Sequence, residues 1–313
     1  MDPRWFHGEA DPSTVELVRR IEAYHRDHPH LTSIRPDVAR QAREEGRSVF
    51  GPLSFSDRAT WASISGPDSR IDLRVFPVTE PEAVYLHLHG GGWVLGGPHH
   101  QDRRLQTIAD RCNVAVVSVD YRLAPEDPYP AGPDDCETAA VWLVHNAADE
   151  FGTDRLLIGG ESAGAHLAAV TLLRMRDRHS YTGFLAANLV YGVFDLRLTP
   201  SARLWGDRTL VLDTPSLYWF RDHFLPDPSM ADHPDVSPLL ADLTGLPPAL
   251  FTVGSADPLL DDTLFMYGRW VAAGNRAGLA VYPGAPHAFD AFDVPVADTA
   301  LDRICSFISA ALG

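Results

Sequence analysis

The sequence predicts an α/β protein with a mostly parallel, eight-stranded sheet flanked by helices. Two observations carry that prediction. From Thr60 onward, short apolar runs rich in β-branched residues alternate with helical patterns, as strands and crossover helices do in a parallel sheet. Near the middle of the chain, the run Leu156-Leu157-Ile158 reaches Gly160-Glu161-Ser162-Ala163-Gly164 and passes at once into the helical pattern of residues 163–178. A strand, a tight Gly-x-Ser-x-Gly turn and a helix in that order form the context of a nucleophile elbow.

Taken in order, residues 1–50 read as polar helices, centred on 13–21 and 36–43. Ser13 followed by Glu16 has the pattern of a capping box. The stretch is too short for a core of its own and is expected to lie on the remainder. His25, His28 and His30 cluster here and read as solvated helix-end residues rather than metal ligands. Residues 60–65 and 71–78 form the first two β segments, joined by the turn Gly66-Pro67-Asp68-Ser69, and give an antiparallel start. Strands follow at 83–89, 114–119, 156–158, 185–191, 249–253 and 279–282. Helical patterns cover 102–111, 136–147, 163–178, 259–273 and 297–311. Nearly sixty residues separate Tyr191 from Ala249, and a connection of that length implies a lid or binding element. Residues 196–235 therefore read as an insertion that joins the N-terminal helices over the sheet edge, with a peripheral decoration as the alternative. Residues 51–195 and 236–313 make up the catalytic domain.

Composition narrows the chemistry. Net charge is −16, from 42 acids against 26 bases, which disfavours nucleic acid and anionic membranes as partners. Every base is Arg. With no Lys in the chain, a P-loop lysine, a Schiff-base lysine and a Ser-x-x-Lys arrangement are all excluded. Asp outnumbers Glu 31 to 11; adaptation to salt would give an Asp-rich, Lys-free surface, while drift in a GC-rich genome that favours Arg codons would give the missing Lys but not the Asp excess. Cys112, Cys136 and Cys305 lack metal-ligand spacing and read as buried apolar residues in a reducing compartment. No stretch is long enough for a membrane span, and Met1-Asp2-Pro3-Arg4-Trp5 does not resemble a signal peptide. The expected location is cytoplasmic.

A serine hydroxyl is a weak nucleophile, so Ser162 needs a base, a residue to orient that base, and donors for the developing oxyanion. In a doubly wound sheet these stand in loops after the strands. His89-Gly90-Gly91-Gly92-Trp93 follows one strand, and the N–H groups of Gly91, Gly92 and Ala163 are the candidate oxyanion donors. Losing one such donor costs about 10² to 10³ in rate. His89 reads as a loop-holding partner. Asp257, after the 249–253 strand, is the candidate acid and also stands at the start of a helix before Pro258; Asp261 and Asp262 read as helix-face charges. His287 follows the last strand and is the candidate base, while His166, four residues past Ser162, reads as structural. The order Ser, Asp, His is that of α/β-hydrolases.

With these segments assembled, the sequence resembles the hormone-sensitive-lipase-like branch of the α/β-hydrolases, the bacterial esterases with a GDXG-type signature. His89–Trp93, Asp120-Tyr121-Arg122-Leu123-Ala124-Pro125-Glu126, Gly160–Gly164, Gly245-Leu246-Pro247-Pro248, Asp257-Pro258-Leu259 and His287-Ala288-Phe289 carry the likeness, over about residues 60–310. The resemblance implies catalytic Ser162, Asp257 and His287, oxyanion donors Gly91, Gly92 and Ala163, and a helical cap. It also makes the 121–126 segment an internal brace. Glu161 departs from the usual Asp, and Tyr191-Gly192 from a frequent Tyr-Pro. The implied activity is a serine carboxylester hydrolase for short- to medium-chain acyl esters, with no metal or organic cofactor. An amidase, lactonase or acyltransferase would use the same machinery, and a non-enzymatic small-molecule receptor would need a damaged triad. Trp93, Tyr191, Trp205, Trp219 and Phe220 are the candidate substrate-binding residues. Many members of the branch are dimers, although no interface signature is visible here.

Overall fold

The structure, a computed structural model, describes residues 8–313; the Met1–Trp5 start lies outside the described residues. Eight strands form one sheet: β1 (Thr60–Ser65), β2 (Arg70–Phe76), β3 (Ala83–Leu88), β4 (Val114–Asp120), β5 (Leu156–Glu161), β6 (Phe184–Val190), β7 (Ala249–Ala256) and β8 (Ala277–Pro286), in the spatial order 1-2-4-3-5-6-7-8. β2 pairs antiparallel with both β1 and β4, and all remaining pairs are parallel. Strands β3 and β5 are buried at every position. Helices on both faces cover them, which explains why they read as continuous apolar runs rather than alternating ones.

The helices are α1 (Pro12–Asp27), α2 (Pro36–Glu44), α3 (Asp102–Cys112), α4 (Ala131–Phe151), α5 (Ala163–His179), α6 (Pro200–Leu204), α7 (Thr214–Phe224), α8 (Leu260–Ala272) and α9 (Pro295–Leu312). Two core layers result. One packs α4, α5 and α8 against the sheet through Leu143, Leu167, Met266 and Trp270. The other packs α3 and α9 through Leu105, Ile108, Ile304 and Ile308, and takes in Leu17 and Ile21 of α1. No described helix is long and apolar enough to cross a membrane.

The start of α1 corrects the sequence reading. Asp11, not Ser13, caps the helix: its carboxylate accepts from the Ser13 N–H at 2.8 Å. Pro12 fits the first helical position because its missing N–H would have no partner there, so the cap falls one residue before it. Glu16 instead pairs with Arg19 one turn on.

The N-terminal helices and the segment after β6 meet over the carboxyl ends of the strands. Their seam is polar: His30 Nε2 lies 2.8 Å from Asp213 Oδ2, and Arg208 pairs with Glu22. α2 is tied to the core by Arg40, which donates to the carbonyls of Val94 and Ala124, each at 2.7 Å, and pairs with Glu126.

Candidate active site

β5 ends at Glu161, and the chain turns through Ser162 with φ 56° and ψ −118° before α5 begins at Ala163. A non-glycine residue in that region costs about 1–3 kcal/mol and persists only where its surroundings enforce it. Here the flanking glycines allow the enforcement. A Cβ on Gly160 would lie 2.2 Å from the Leu88 carbonyl oxygen, and one on Gly164 would lie 1.9 Å from it. β5, α5 and the end of β3 therefore approach as closely as backbone allows, and the serine side chain is aimed outward.

The Ser162 hydroxyl lies 3.0 Å from His287 Nε2, and His287 Nδ1 lies 2.8 Å from Asp257 Oδ2. Because the Asp257 carboxylate can only accept, Nδ1 carries the proton and Nε2 is left to accept from the Ser162 hydroxyl. Asp257 is fully buried and His287 nearly so. The other Asp257 oxygen accepts from the Leu259 N–H at 2.8 Å. The carboxylate thus holds the turn into α8 and the histidine together.

The glycine loop presents its donors by fixing its carbonyls elsewhere. His89 Nδ1–H donates to the Gly90 carbonyl at 2.8 Å, and the Leu95 N–H donates to the Gly91 carbonyl at 2.8 Å. In a planar trans peptide the N–H points opposite to its C=O, so the N–H groups of Gly91 and Gly92 face away from those partners. Ala163 N–H is one of the unpaired donors that begin any helix. Gly91 has φ +123°, and a Cβ there would strike the Leu95 carbonyl oxygen at 2.0 Å.

His89 and His166, both near the glycine loop, are tied into the scaffold. Burial pushes His89 down to about 3 despite its bond to Gly90, so its ring is neutral; it stacks on Tyr121 at 4.1 Å, whose hydroxyl donates to the His89 carbonyl. Tyr121 thereby braces the loop. His166 is fully buried and pushed down to about 4 by burial. It accepts from Trp93 Nε1–H at 3.1 Å and donates from Nε2 to the Val236 carbonyl at 2.8 Å. One neutral tautomer satisfies both bonds, pinning the residue after the glycines to α5.

Glu161 is neither exposed nor aimed at the Ser162 hydroxyl. It is 2% exposed and lies 2.9 Å from His87 Nε2, while His87 Nδ1 lies 2.8 Å from Ser118 Oγ. Burial by itself would raise its pKa, but His87 beside it, with the Arg104 guanidinium further off, holds it below the usual glutamate range. Asp262 corrects the reading of a helix-face charge. Fully buried, it accepts from the N–H groups of Phe194 and Asp195 and from the Thr199 hydroxyl, and burial pushes it up to about 7. It anchors the chain where the long segment leaves β6. Neither Arg40 nor Asp262 carries a local motif, since their partners stand dozens of residues away.

A cavity of about 280 Å³ opens above Ser162 and His287. Leu31, Ile34 and Phe50 from the N-terminal region and Leu198, Leu212 and Leu217 from the segment after β6 line it. Trp93, Tyr191 and Phe220 also line it. Tyr191 rests edge-on against the His287 ring, centroids 4.7 Å apart, and its hydroxyl is held by Asp290. Phe220 occupies the space a Gly92 side chain would need, with Cδ1 2.2 Å from the position of its Cβ. Trp205 and Trp219 are not among the lining residues, contrary to expectation. Trp205 is turned aside to donate its Nε1–H to the Arg208 carbonyl, and Trp219 packs on Phe220 and His223 behind the wall.

An eight-stranded, mostly parallel sheet with a serine elbow between β5 and α5 defines an α/β hydrolase. A family model of the alpha/beta hydrolase fold matches residues 85–291, and the chain belongs to that family, in its hormone-sensitive-lipase-like branch. Over 250 residues it is 37% identical to the carboxylic ester hydrolase LipN of Mycobacterium tuberculosis, covering 76% of this chain and 66% of that relative. The chain thus spans about two thirds of that relative's length. It superposes on the hyperthermophilic esterase of the archaeon Pyrobaculum calidifontis with a TM-score of 0.87 and 29% identity, covering 97% of this chain and 99% of the other. EstE1, a thermostable carboxylesterase from a metagenomic library, gives a TM-score of 0.81 at 31% identity, with 90% and 99% covered.

Proposed function

We propose that the protein is a carboxylic ester hydrolase that works through a Ser162 acyl-enzyme. The observation that carries this reading is the continuous relay from Ser162 through His287 to Asp257, at 3.0 and 2.8 Å, on the floor of a roofed apolar cavity. The ester hydrolases among its relatives support it.

Ser162 Oγ attacks the ester carbonyl carbon as its proton passes to His287 Nε2. The carbonyl oxygen becomes an oxyanion and accepts from the N–H groups of Gly91, Gly92 and Ala163. Asp257 keeps the proton on His287 Nδ1 and stabilises the imidazolium, without taking that proton. The tetrahedral adduct collapses, the C–O bond to the alcohol breaks, and His287 returns the proton to the leaving oxygen. Water then gives its proton to His287 as it attacks the acyl carbon, the acyl C–O bond to Ser162 breaks, and His287 returns the proton to Ser162 Oγ as the acid leaves.

The leucine-rich walls receive the substrate's apolar part, and the small volume of about 280 Å³ favours short to medium acyl chains. A panel of p-nitrophenyl esters of increasing acyl length tests this, with Ser162→Ala as control. Turnover falling at long chains and vanishing in the variant is expected. Equal turnover of long-chain emulsified triglycerides overturns the chain-length reading, and parallel amide and lactone substrates separate ester hydrolysis from the other acyl transfers this relay would serve.

A further inference from the structure

We propose that Glu44, His99 and His100 form a binding site for a divalent transition-metal ion of the zinc class, at the seam between the roof of the cavity and the glycine loop. Glu44 ends α2, while His99 and His100 stand on a short 3₁₀ turn, Pro98–Gln101, a few residues after that loop. The two histidines converge on the carboxylate through the same ring atom. His100 Nε2 lies 2.6 Å from Glu44 Oε1, and His99 Nε2 lies 3.1 and 3.2 Å from its two oxygens. One ligand atom from each residue falls within 4.8 Å of the others.

Two imidazoles and a carboxylate are a donor set suited to zinc, cobalt and related ions rather than to magnesium or calcium, which take oxygen. Bonds of 2.0–2.1 Å in a tetrahedron set ligand atoms roughly 3.3 Å apart. The spacings of His100 and His99 to the carboxylate, 2.6 and 3.1 Å, fall close to that value. Glu44 is about half exposed, so an ion has a path in. Charges of both signs stand near the site: Asp120 lies within the electrostatic reach of His99, Glu44 and Asp72, Asp72 faces it across the β2–β4 register, and Arg43 acts on His100 from α2. The imidazole rings are also held in place, His99 stacked on Phe55 and tilted against Trp61, with His100 edge-on to it.

The site has a mechanical consequence. α2 contributes Ala39, Ala42 and Arg43 to the cavity wall, and His100 lines the cavity as well. An ion held by all three residues clamps the roof to the segment that follows the oxyanion loop. It takes no part in bond breaking, so the inference is independent of the ester-hydrolase reading.

The test is a Co²⁺ titration of the full chain after chelation and desalting, read by the visible absorption bands of tetrahedral cobalt and by displacement with Zn²⁺. Saturation at one equivalent is expected, with a rise in melting temperature on adding Zn²⁺. Glu44→Gln and His99→Ala should each weaken binding at least tenfold while melting normally in chelator. Affinity unchanged in both variants, or no saturable band in the wild type, overturns the proposal and leaves a carboxylate that merely accepts from two imidazoles.

Discussion

Replacing Glu161 with Gln removes one charge and keeps the shape, in the residue that leads into Ser162. The carboxylate accepts from His87 Nε2–H at 2.9 Å in a fully buried setting. Hydrogen bonds to a charged group contribute about 1.5–3 kcal/mol, against about 0.5–1.5 for a neutral pair. Since the carbonyl oxygen of the substituted amide still accepts from His87, the expected loss is the difference, about 1–1.5 kcal/mol. An unfolding entropy of about 2.1 cal/mol/K per residue over 313 residues makes that a fall of about 2 °C in melting temperature. The pH dependence is the sharper signature. A folded-state pKa below the usual glutamate value contributes stability that is present above the unfolded pKa and is lost as pH falls through the folded one. Differential scanning calorimetry should therefore show wild type and variant separated near neutral pH and converging in the acid range, below about 4.5. The serine machinery is left in place, so kcat/KM should fall by no more than about tenfold, equivalent to about 1.4 kcal/mol. A melting difference that persists unchanged into acid would refute the charge argument. A thousandfold loss of activity would show that the carboxylate takes part in the chemistry rather than positioning the elbow.

Two further substitutions test the packing around the elbow. Trp93→Phe leaves His166 Nδ1 buried without its donor, so it should destabilise the protein by about 1–3 kcal/mol and lower kcat as the glycine loop loosens; an unchanged urea midpoint would count against the bond. Gly164→Ala puts a Cβ 1.9 Å from the Leu88 carbonyl oxygen and should cost more than about 3 kcal/mol, beyond ordinary overpacking because the neighbour is backbone. Gly268→Ala in α8, where a Cβ meets nothing within 4 Å, should instead gain up to about 1 kcal/mol, and equal effects of the two would contradict the close approach.

Local patterns were enough to read most of the fold. Every strand of the sheet and the five helices α3, α4, α5, α8 and α9 stand where apolar runs and helical periodicity placed them, because each is buried against neighbours that reward that periodicity. Ends were less legible: α4 begins at Ala131 rather than near Cys136, and Asp11 displaces Ser13 as the α1 cap. Residues 162, 257 and 287 were legible because each follows a strand in a turn of distinctive composition. What stayed hidden depends on partners far apart in sequence. Asp262 looks like any acid on a helix until the loop at Phe194 supplies its donors, and Glu44 lies 55 positions from His99. Trp205 and Trp219 carry the aromatic character of a pocket wall, yet their orientation follows from hydrogen bonds and packing that composition does not encode.

In the proposed reaction Ser162 is the nucleophile and His287 its base. Intact-protein mass spectrometry after exposure to a p-nitrophenyl phosphonate ester tests it most directly. One adduct per chain is expected, mapped to Ser162, absent in Ser162→Ala and formed far more slowly in His287→Ala. An adduct on another residue, or a Ser162→Ala protein that still turns over esters at the wild-type rate, would contradict it.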